Sequence, residues 1–315
     1  MIYDKLSQTL LKRSKLELLC FIFIIVLSIT TFVTYIKKND DKIEGLSSSI
    51  SNVFKKKFEY LKNNDIYDEF YVSIYDKLFF DKKKLNLELS EIVEKTRINK
   101  SSSILDIGSG TGHHLNVLHN IAGEVKGVDK SLAMVQYSTN KYPFLNVKHD
   151  DANNSMIFTH ERFTHITMFY FTVYCFENKR QILQNCYKWL KPGGYLIIHM
   201  VNRDKFDPIL APSNPLHLVS PQKYAEQRIT KSAIKFNSFS YKSNFEHHPE
   251  KDVALFKEIL KNDKTNNIRG HELKLYIEKQ KKILDLAKLI GFAVKGKISL
   301  TPCQYEYQYI YILTK

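Results

Sequence analysis

Short apolar runs of strand length recur through the middle of this chain, each ending in acidic or glycine residues. Ile104-Leu105-Asp106-Ile107 runs into Gly108-Ser109-Gly110-Thr111-Gly112, and Val125-Lys126-Gly127-Val128 ends at Asp129. Val147-Lys148-His149 ends at Asp150-Asp151-Ala152, a fourth run covers 163–171, and a fifth follows Lys191-Pro192-Gly193-Gly194. Between them the spacing turns helical, from His113 and again through Met134 and Tyr137. Strands that alternate with helices in this way predict an α/β fold with a doubly wound parallel sheet.

The pattern changes on both sides of this block. After the fifth strand, 205–278 is too long for a connection and alternates apolar with polar over 232–241, 253–260 and 271–277. Positions 262–267 read as the turn between the last two. This predicts an antiparallel β cap inserted over the carboxyl ends of the parallel strands, where ligands bind in open α/β sheets. A helix over 279–290 stops at Gly291-Phe292, and the tyrosine- and isoleucine-rich 304–313 suits the last strands. Upstream, Tyr67, Tyr71, Ile74 and Leu78 fall at helical spacing, and a second helix is expected over about 85–95.

Residues 18–36 carry no charge and are dense in Phe, Ile, Val and Leu. As a helix they would span ~28 Å, enough for the hydrocarbon core of a bilayer. The run exceeds the usual ~7–15 residues of a signal-peptide core and no small-x-small site follows it, so a single-pass transmembrane helix is favoured over a cleaved signal. The expected organisation is a tail (1–17), a transmembrane helix (18–36), a linker or stalk (37–64) and one domain (65–315) carrying the cap.

Composition adds restraint. The net charge of +14 invites a nucleic-acid partner, but 40 lysines against 7 arginines, spread along the chain, do not make an arginine-rich phosphate-binding face. The composition therefore weighs against nucleic acid. Cys20, Cys175, Cys186 and Cys303 are scattered and form no C-x-x-C, so no disulfide framework is indicated. His113-His114 and His247-His248 lack partners at ligand spacing, and no metal site is expected.

The glycine turn carries the candidate chemistry. Glycines at every second position let a ligand approach the backbone, and the following helix presents unpaired N–H groups. The dinucleotide fingerprint would place its third glycine one residue later than Gly112. An acid at the tip of the second strand, Asp129, is placed to accept hydrogen bonds from ribose hydroxyls. Asp106 with G-x-G-x-G, then Asp129, then Asp151-Ala152, then Trp189-Leu190-Lys191-Pro192-Gly193-Gly194 resembles, in order and spacing, the class I S-adenosylmethionine-dependent methyltransferases.

That resemblance implies a seven-stranded Rossmann-like sheet and S-adenosyl-L-methionine as cofactor. It places Asp106 and Gly108 at the methionine end, Asp129 at the ribose, and Met134, Asp151 and Ala152 at the adenine, with Gly110, Gly112 and Lys130 also among the cofactor-binding residues. Phe169 and Tyr170 would border the methyl donor, and Tyr71 and Tyr75 would belong to a tyrosine-rich segment closing over the cofactor. No catalytic acid or base is assigned, since the cofactor carries the reactive group and the protein mainly positions it. Thr164 stands where the family often has an aspartate. The loop after the fourth strand lacks both the N-P-P-Y-type signature and paired glutamates, which argues against adenine, glutamine and arginine acceptors. A small molecule or a protein is the expected acceptor, with an inactive cofactor-binding scaffold and RNA methylation left as alternatives. Basic residues flank the apolar run on both sides (Lys5, Lys12, Arg13 and Lys15 before; Lys37, Lys38 and Lys42 after), so they do not set its orientation. The cofactor implies a cytosolic catalytic domain.

Overall fold

The computed structural model describes residues 23, 24, 26–28, 30, 31, 54, 56–211 and 221–315. The chain divides into two units, Met1–Val53 and Phe54–Lys315. In the first, the described residues Phe23, Ile24, Val26, Leu27, Ser28, Thr30 and Thr31 are helical, with the apolar side chains exposed. Ser28 Oγ and Thr31 Oγ1 donate back to the carbonyls of Ile24 and Leu27, both at 2.8 Å, so these hydroxyls need no water. Among the described residues no helix is long and apolar enough to cross a membrane. Most of the 18–36 run, and Pro212, Pro215 and His217 near the entry to the cap, lie outside the described residues.

The second unit contains two sheets. The strands are β1 (Phe58–Lys62), β2 (Ser103–Ile107), β3 (Glu124–Asp129), β4 (Asn146–His149), β5 (Phe163–Met168), β6 (Leu190–Val201), β7 (Lys231–Lys235), β8 (Phe239–His248), β9 (Val253–Asn262), β10 (Ile268–Tyr276), β11 (Ala293–Ser299) and β12 (Gln308–Thr314). The helices are α1 (Glu69–Phe79), α2 (Lys82–Thr96), α3 (His113–Ile121), α4 (Leu132–Lys141), the single turn α5 (Thr172–Cys175), α6 (Lys179–Trp189) and α7 (Gln280–Ile290). The larger sheet has the order β11-β12-β6-β5-β2-β3-β4, with β12 antiparallel to both neighbours and the rest parallel. Its two faces are buried under different helices. Ile104, Ile197 and Ile310 pack with Leu85, Leu89 and Ile92 of α2 and Leu115 and Leu118 of α3. Leu105, Ile107, Ile166 and Ile198 pack with Ile182 and Trp189 of α6 and Ile283 of α7. This is the doubly wound α/β sheet that the alternating runs predict.

The cap is a five-stranded sheet of order β1-β10-β9-β8-β7. Its inner face contributes Phe245, Ala254, Phe256 and Leu275 to the same core as α6 and α7, so one hydrophobic cluster runs from the large sheet into the cap. Two boundaries differ from expectation. The stretch 58–62, assigned by sequence to the linker, is β1 and pairs in parallel with β10, Phe58 opposite Ile268. The run 232–241 is not one strand, because the backbone turns between Phe236 and Phe239 and splits it into β7 and β8. The turn at 262–267 falls between β9 and β10, where the alternation puts it, with Asn262 Oδ1 accepting the backbone N–H groups of Lys264 and Thr265.

Candidate active site

A single cavity of about 530 Å³ opens between the glycine turn, α1 and the inner face of the cap. That volume is typical of a small-molecule site. Its floor is set by strand ends. β2 runs into Gly108, Gly110 and Gly112, all at positive φ (68°, 53° and 82°), a backbone region that favours glycine. The turn is pinned to the next strand, since Gly108 N–H donates to the Val128 carbonyl at 2.8 Å and Gly110 N–H to Asp129 Oδ2 at 2.8 Å. Asp129 Oδ1 accepts from Ser131 N–H at 2.9 Å, and Ser131 in turn caps α4 by accepting from Met134 N–H. Each oxygen of Asp129 thus keeps a lone pair while the carboxylate is fixed in place. Burial raises the Asp129 pKa, opposed by those two backbone donors.

Of the residues singled out by sequence, Tyr71, Tyr75, Gly108, Gly110, Asp129, Lys130, Met134, Asp151, Ala152 and Tyr170 line this cavity. Lys130 reaches Asp151 across 2.8 Å, which links the ends of β3 and β4. Three residues lie elsewhere. Asp106 is 2% exposed and accepts from Thr167 Oγ1 at 2.7 Å. Side chains alternate along a strand, and it is Ile107, not Asp106, that faces the cavity. Burial drives the Asp106 carboxyl up to about 7, against the Thr167 hydrogen bond and with Asp129 and Glu88 adding to the rise. Phe169 stacks on His114, ring centroids 3.8 Å apart, away from the cavity. Gly112 begins α3 and packs against Ser138, Tyr142 and Leu145, where a Cβ would stand 3.0 Å from Leu145 Cδ1.

Tyr67, Tyr71 and Tyr75 form one edge of α1 and its entry turn, with ring centroids 5.7 and 6.1 Å apart in sequence order. Burial raises all three phenol pKa values, which keeps them neutral donors at physiological pH. Tyr67 was not singled out as a site residue, although it shares the helical spacing of Tyr71. Away from the glycine turn much of the lining is apolar, from Phe79 and Phe171, the loop residues Phe206 and Ile209, and the cap residues Phe245, Phe256, Leu273 and Leu275, with Asn63, Asn64, Lys274 and Gln308 among its polar members. The cap residues have a signal in the alternation of their strands, whereas the loop has none. Glu177, whose carboxylate accepts from Tyr276 Oη at 2.9 Å, and Asp207 are the acids on this side. Arg203 is buried and bonded to Asp252 and to the carbonyls of Ile277 and Pro249. Among the described residues no cluster of His, Cys, Asp or Glu could hold a metal ion.

The arrangement can seat an extended polar ligand over the glycine turn and present one end of it to an apolar chamber. Each oxygen of Asp129 keeps a lone pair for a further donor, and Met134 and Ala152 add apolar surface to the same lining. Residues 105–198 match a family described as a methyltransferase domain. A phosphoethanolamine N-methyltransferase of Plasmodium falciparum (isolate 3D7) is 29% identical over 154 residues, 44% of this chain and 54% of its own. A dTDP-4-amino-2,3,4,6-tetradeoxy-D-glucose N,N-dimethyltransferase of Saccharopolyspora spinosa is 26% identical over 145 residues, 44% and 57% of the two. The chain thus spans about half the length of the curated relatives it matches. Among solved structures, an S-adenosylmethionine-dependent methyltransferase from Clostridium acetobutylicum ATCC 824 shares the fold, with a TM-score of 0.58, 16% identity and coverage of 78% of this chain and 97% of that one. With the strand order, the glycine turn and the matched residues in agreement, this chain contains a methyltransferase domain and has the fold of solved S-adenosylmethionine-dependent methyltransferases.

Proposed function

We propose that the protein transfers a methyl group from S-adenosyl-L-methionine to a small-molecule acceptor seated in the apolar chamber under the cap. The observation that carries this reading is the continuity of the cavity, which joins the Gly108–Gly110 turn and Asp129 to an aromatic enclosure without a wall between them. When bound, the cofactor supplies an electrophilic methyl on a positively charged sulfur. Asp129 would hold the ribose, with Lys130 and Asp151 closing the rim, and Met134 and Ala152 would flank the adenine. The rings of Tyr67, Tyr75 and Tyr170 would face the sulfonium side, where aromatic faces favour a cation and exclude water. The relatives named above are called after phosphoethanolamine and an amino sugar, which supports a small molecule over a protein as acceptor. A chamber lined by phenylalanine and leucine favours an acceptor with an apolar body.

The uncharged run at 18–36 would anchor the enzyme in a membrane, with the catalytic domain on the cytosolic side where the cofactor is available. Incubation of the full chain with isotopically labelled cofactor and a membrane and soluble extract tests the activity directly. Label in a low-molecular-mass species is the expected result. Cofactor binding without label transfer to any species would favour the scaffold reading.

A further inference from the structure

The cap sheet has a second face, turned away from the cavity. Strand registers set its residues in rows: Phe58, Ile268 and Lys261 stand side by side, and the next row reads Tyr60, Gly270, Ile259 and Lys242. Phe58 is 62% exposed, Ile259 51% and Tyr60 43%. The two rings stack, with centroids 6.3 Å apart. Tyr60 lies so close over Gly270 that a Cβ there would come within 2.6 Å of its ring. An aromatic pair is therefore held flat on the sheet with its apolar surface outward. On the same face Lys62, Lys235 and Lys257 are paired with Glu272, Asp263 and Glu246. Lys231, Lys242 and Lys261 have no acidic partner among the described residues.

We infer that this face docks on an anionic bilayer surface. An apolar aromatic island bordered by uncompensated lysines matches the headgroup region, where rings settle at the interface and ammonium groups meet acidic lipids. The chain itself leads there: 21 residues separate position 36, the end of the uncharged run, from Phe58 on the edge strand of this face. A random-coil chain of that length would reach about 25 Å root-mean-square, which would make docking an intramolecular event. The strength of docking thus rests on the membrane-anchor reading, whereas its chemistry rests on the cap face alone.

The test uses the full chain reconstituted with vesicles of phosphatidylcholine, with or without phosphatidylserine. The one native tryptophan, Trp189, is fully buried, so I259W gives an indole that reports on this face through quenching by brominated lipids. Quenching is expected on the anionic vesicles and lost at high salt. K231Q/K242Q/K261Q is expected to weaken docking on the order of a hundredfold, from about 1 kcal/mol per lysine. Its affinity for S-adenosyl-L-methionine is expected to stay unchanged, because none of the three lysines lines the cavity. A chain that floats with the vesicles yet shows no quenching, or equal quenching on neutral vesicles, overturns docking and leaves the anchor standing. A chain that floats with neither kind of vesicle overturns both. Retention of RNA by the parent that the triple variant loses, with quenching unaltered, would reassign the lysines to nucleic acid and overturn the proposal.

Discussion

The phenol of Tyr71 in α1 donates to both carboxylate oxygens of Glu258 in β9, at 2.7 and 2.8 Å, across 187 positions of sequence. Tyr241 and Nδ1 of His271 also donate to that carboxylate. Arg269 Nε donates to His271 Nε2 at 2.8 Å, which leaves the imidazole proton on Nδ1, and its Nη2 reaches Asp68 at the N-cap of α1 at 2.7 Å. The cap thus grips the tyrosine-bearing helix at two points one turn apart. Y71F removes one donor from a buried carboxylate and is expected to cost about 1.5–3 kcal/mol in urea unfolding. E258Q, which aims an amide N–H at hydroxyl donors, is expected to cost more. An unchanged midpoint in both variants would show that the grip is not needed for folding.

The proposed function makes Asp129 the side chain on which cofactor recognition turns. D129A is expected to raise the Kd for S-adenosyl-L-methionine at least tenfold in calorimetry, a loss of ~1.4 kcal/mol or more. D129N, which keeps one acceptor oxygen, is expected to fall between. Equal affinity in all three proteins would remove Asp129 from the binding site.

The two cavity-lining glycines of the turn should differ in their tolerance of a side chain. A Cβ at Gly108 would stand 2.7 Å from Thr172 Cγ2 and 2.8 Å from its Oγ1, whereas one at Gly110 would meet only the Gly108 carbonyl, at 4.0 Å. G110A then carries backbone strain alone, about 1 kcal/mol. G108A must also push the Thr172 side chain aside and is expected to weaken cofactor binding more than G110A does. Circular dichroism of both variants, read beside their calorimetry, separates a misshapen site from an unfolded one.

Asp106 gives the protein a distinctive pH dependence. Its folded pKa of about 7 lies above the unfolded value of about 3.9. Below that lower value both states hold the proton and its stabilising contribution is complete. As pH rises toward 7 the unfolded state releases the proton first, and the contribution drains away. D106N keeps the oxygen that accepts from Thr167 but does not titrate. Unfolding free energies of the two proteins between pH 4 and 8 should therefore diverge in favour of D106N by up to about 4 kcal/mol. A constant difference across that range would contradict the raised pKa.

Beneath Tyr170 lies a buried ion pair. Lys84 Nζ stands 2.7 Å from Glu88 Oε1 with both side chains at most 1% exposed, and 3.8 Å from the centre of the Tyr170 ring. Against burial, which alone would raise it, Lys84 and His114 hold the Glu88 carboxyl down at about 2. K84M strands that carboxylate and is expected to cost about 3–5 kcal/mol. K84M/E88L is expected to recover much of the loss, since the desolvated charge goes with its partner. A double variant no more stable than K84M would mean that packing, not charge, sets the cost.

Much of the sheet was legible because buried parallel strands and their helices alternate within short windows of sequence. The glycine turn, Asp129, Lys130 and Asp151 fall on the cavity lining for the same reason, each standing at the end of a local strand, whereas the pairing of Lys130 with Asp151 was not legible. Which face a strand-end residue takes is a different matter. Period-two alternation puts Asp106 and Ile107 on opposite sides, and only the packing of α2, α3, α6 and α7 decides which side carries the cavity. Phe169 turns toward His114 by the same tertiary choice. The strand β1 was hidden because its five residues pair with a partner 210 positions away, and the loop bearing Phe206 and Ile209 has no periodicity to read.

That pairing of β1 with β10 bears on how the polypeptide is made. Phe58 leaves the ribosome early and Ile268 late, so β2 to β6 of the larger sheet are in hand long before the roof can close. Contacts of such separation form slowly and leave apolar surface uncovered meanwhile. Val173 and Tyr174, which share a core with Phe245, Phe256 and Leu275 of the cap, would wait part-covered until those later residues emerge, which makes the nascent chain a client for chaperones in the interval.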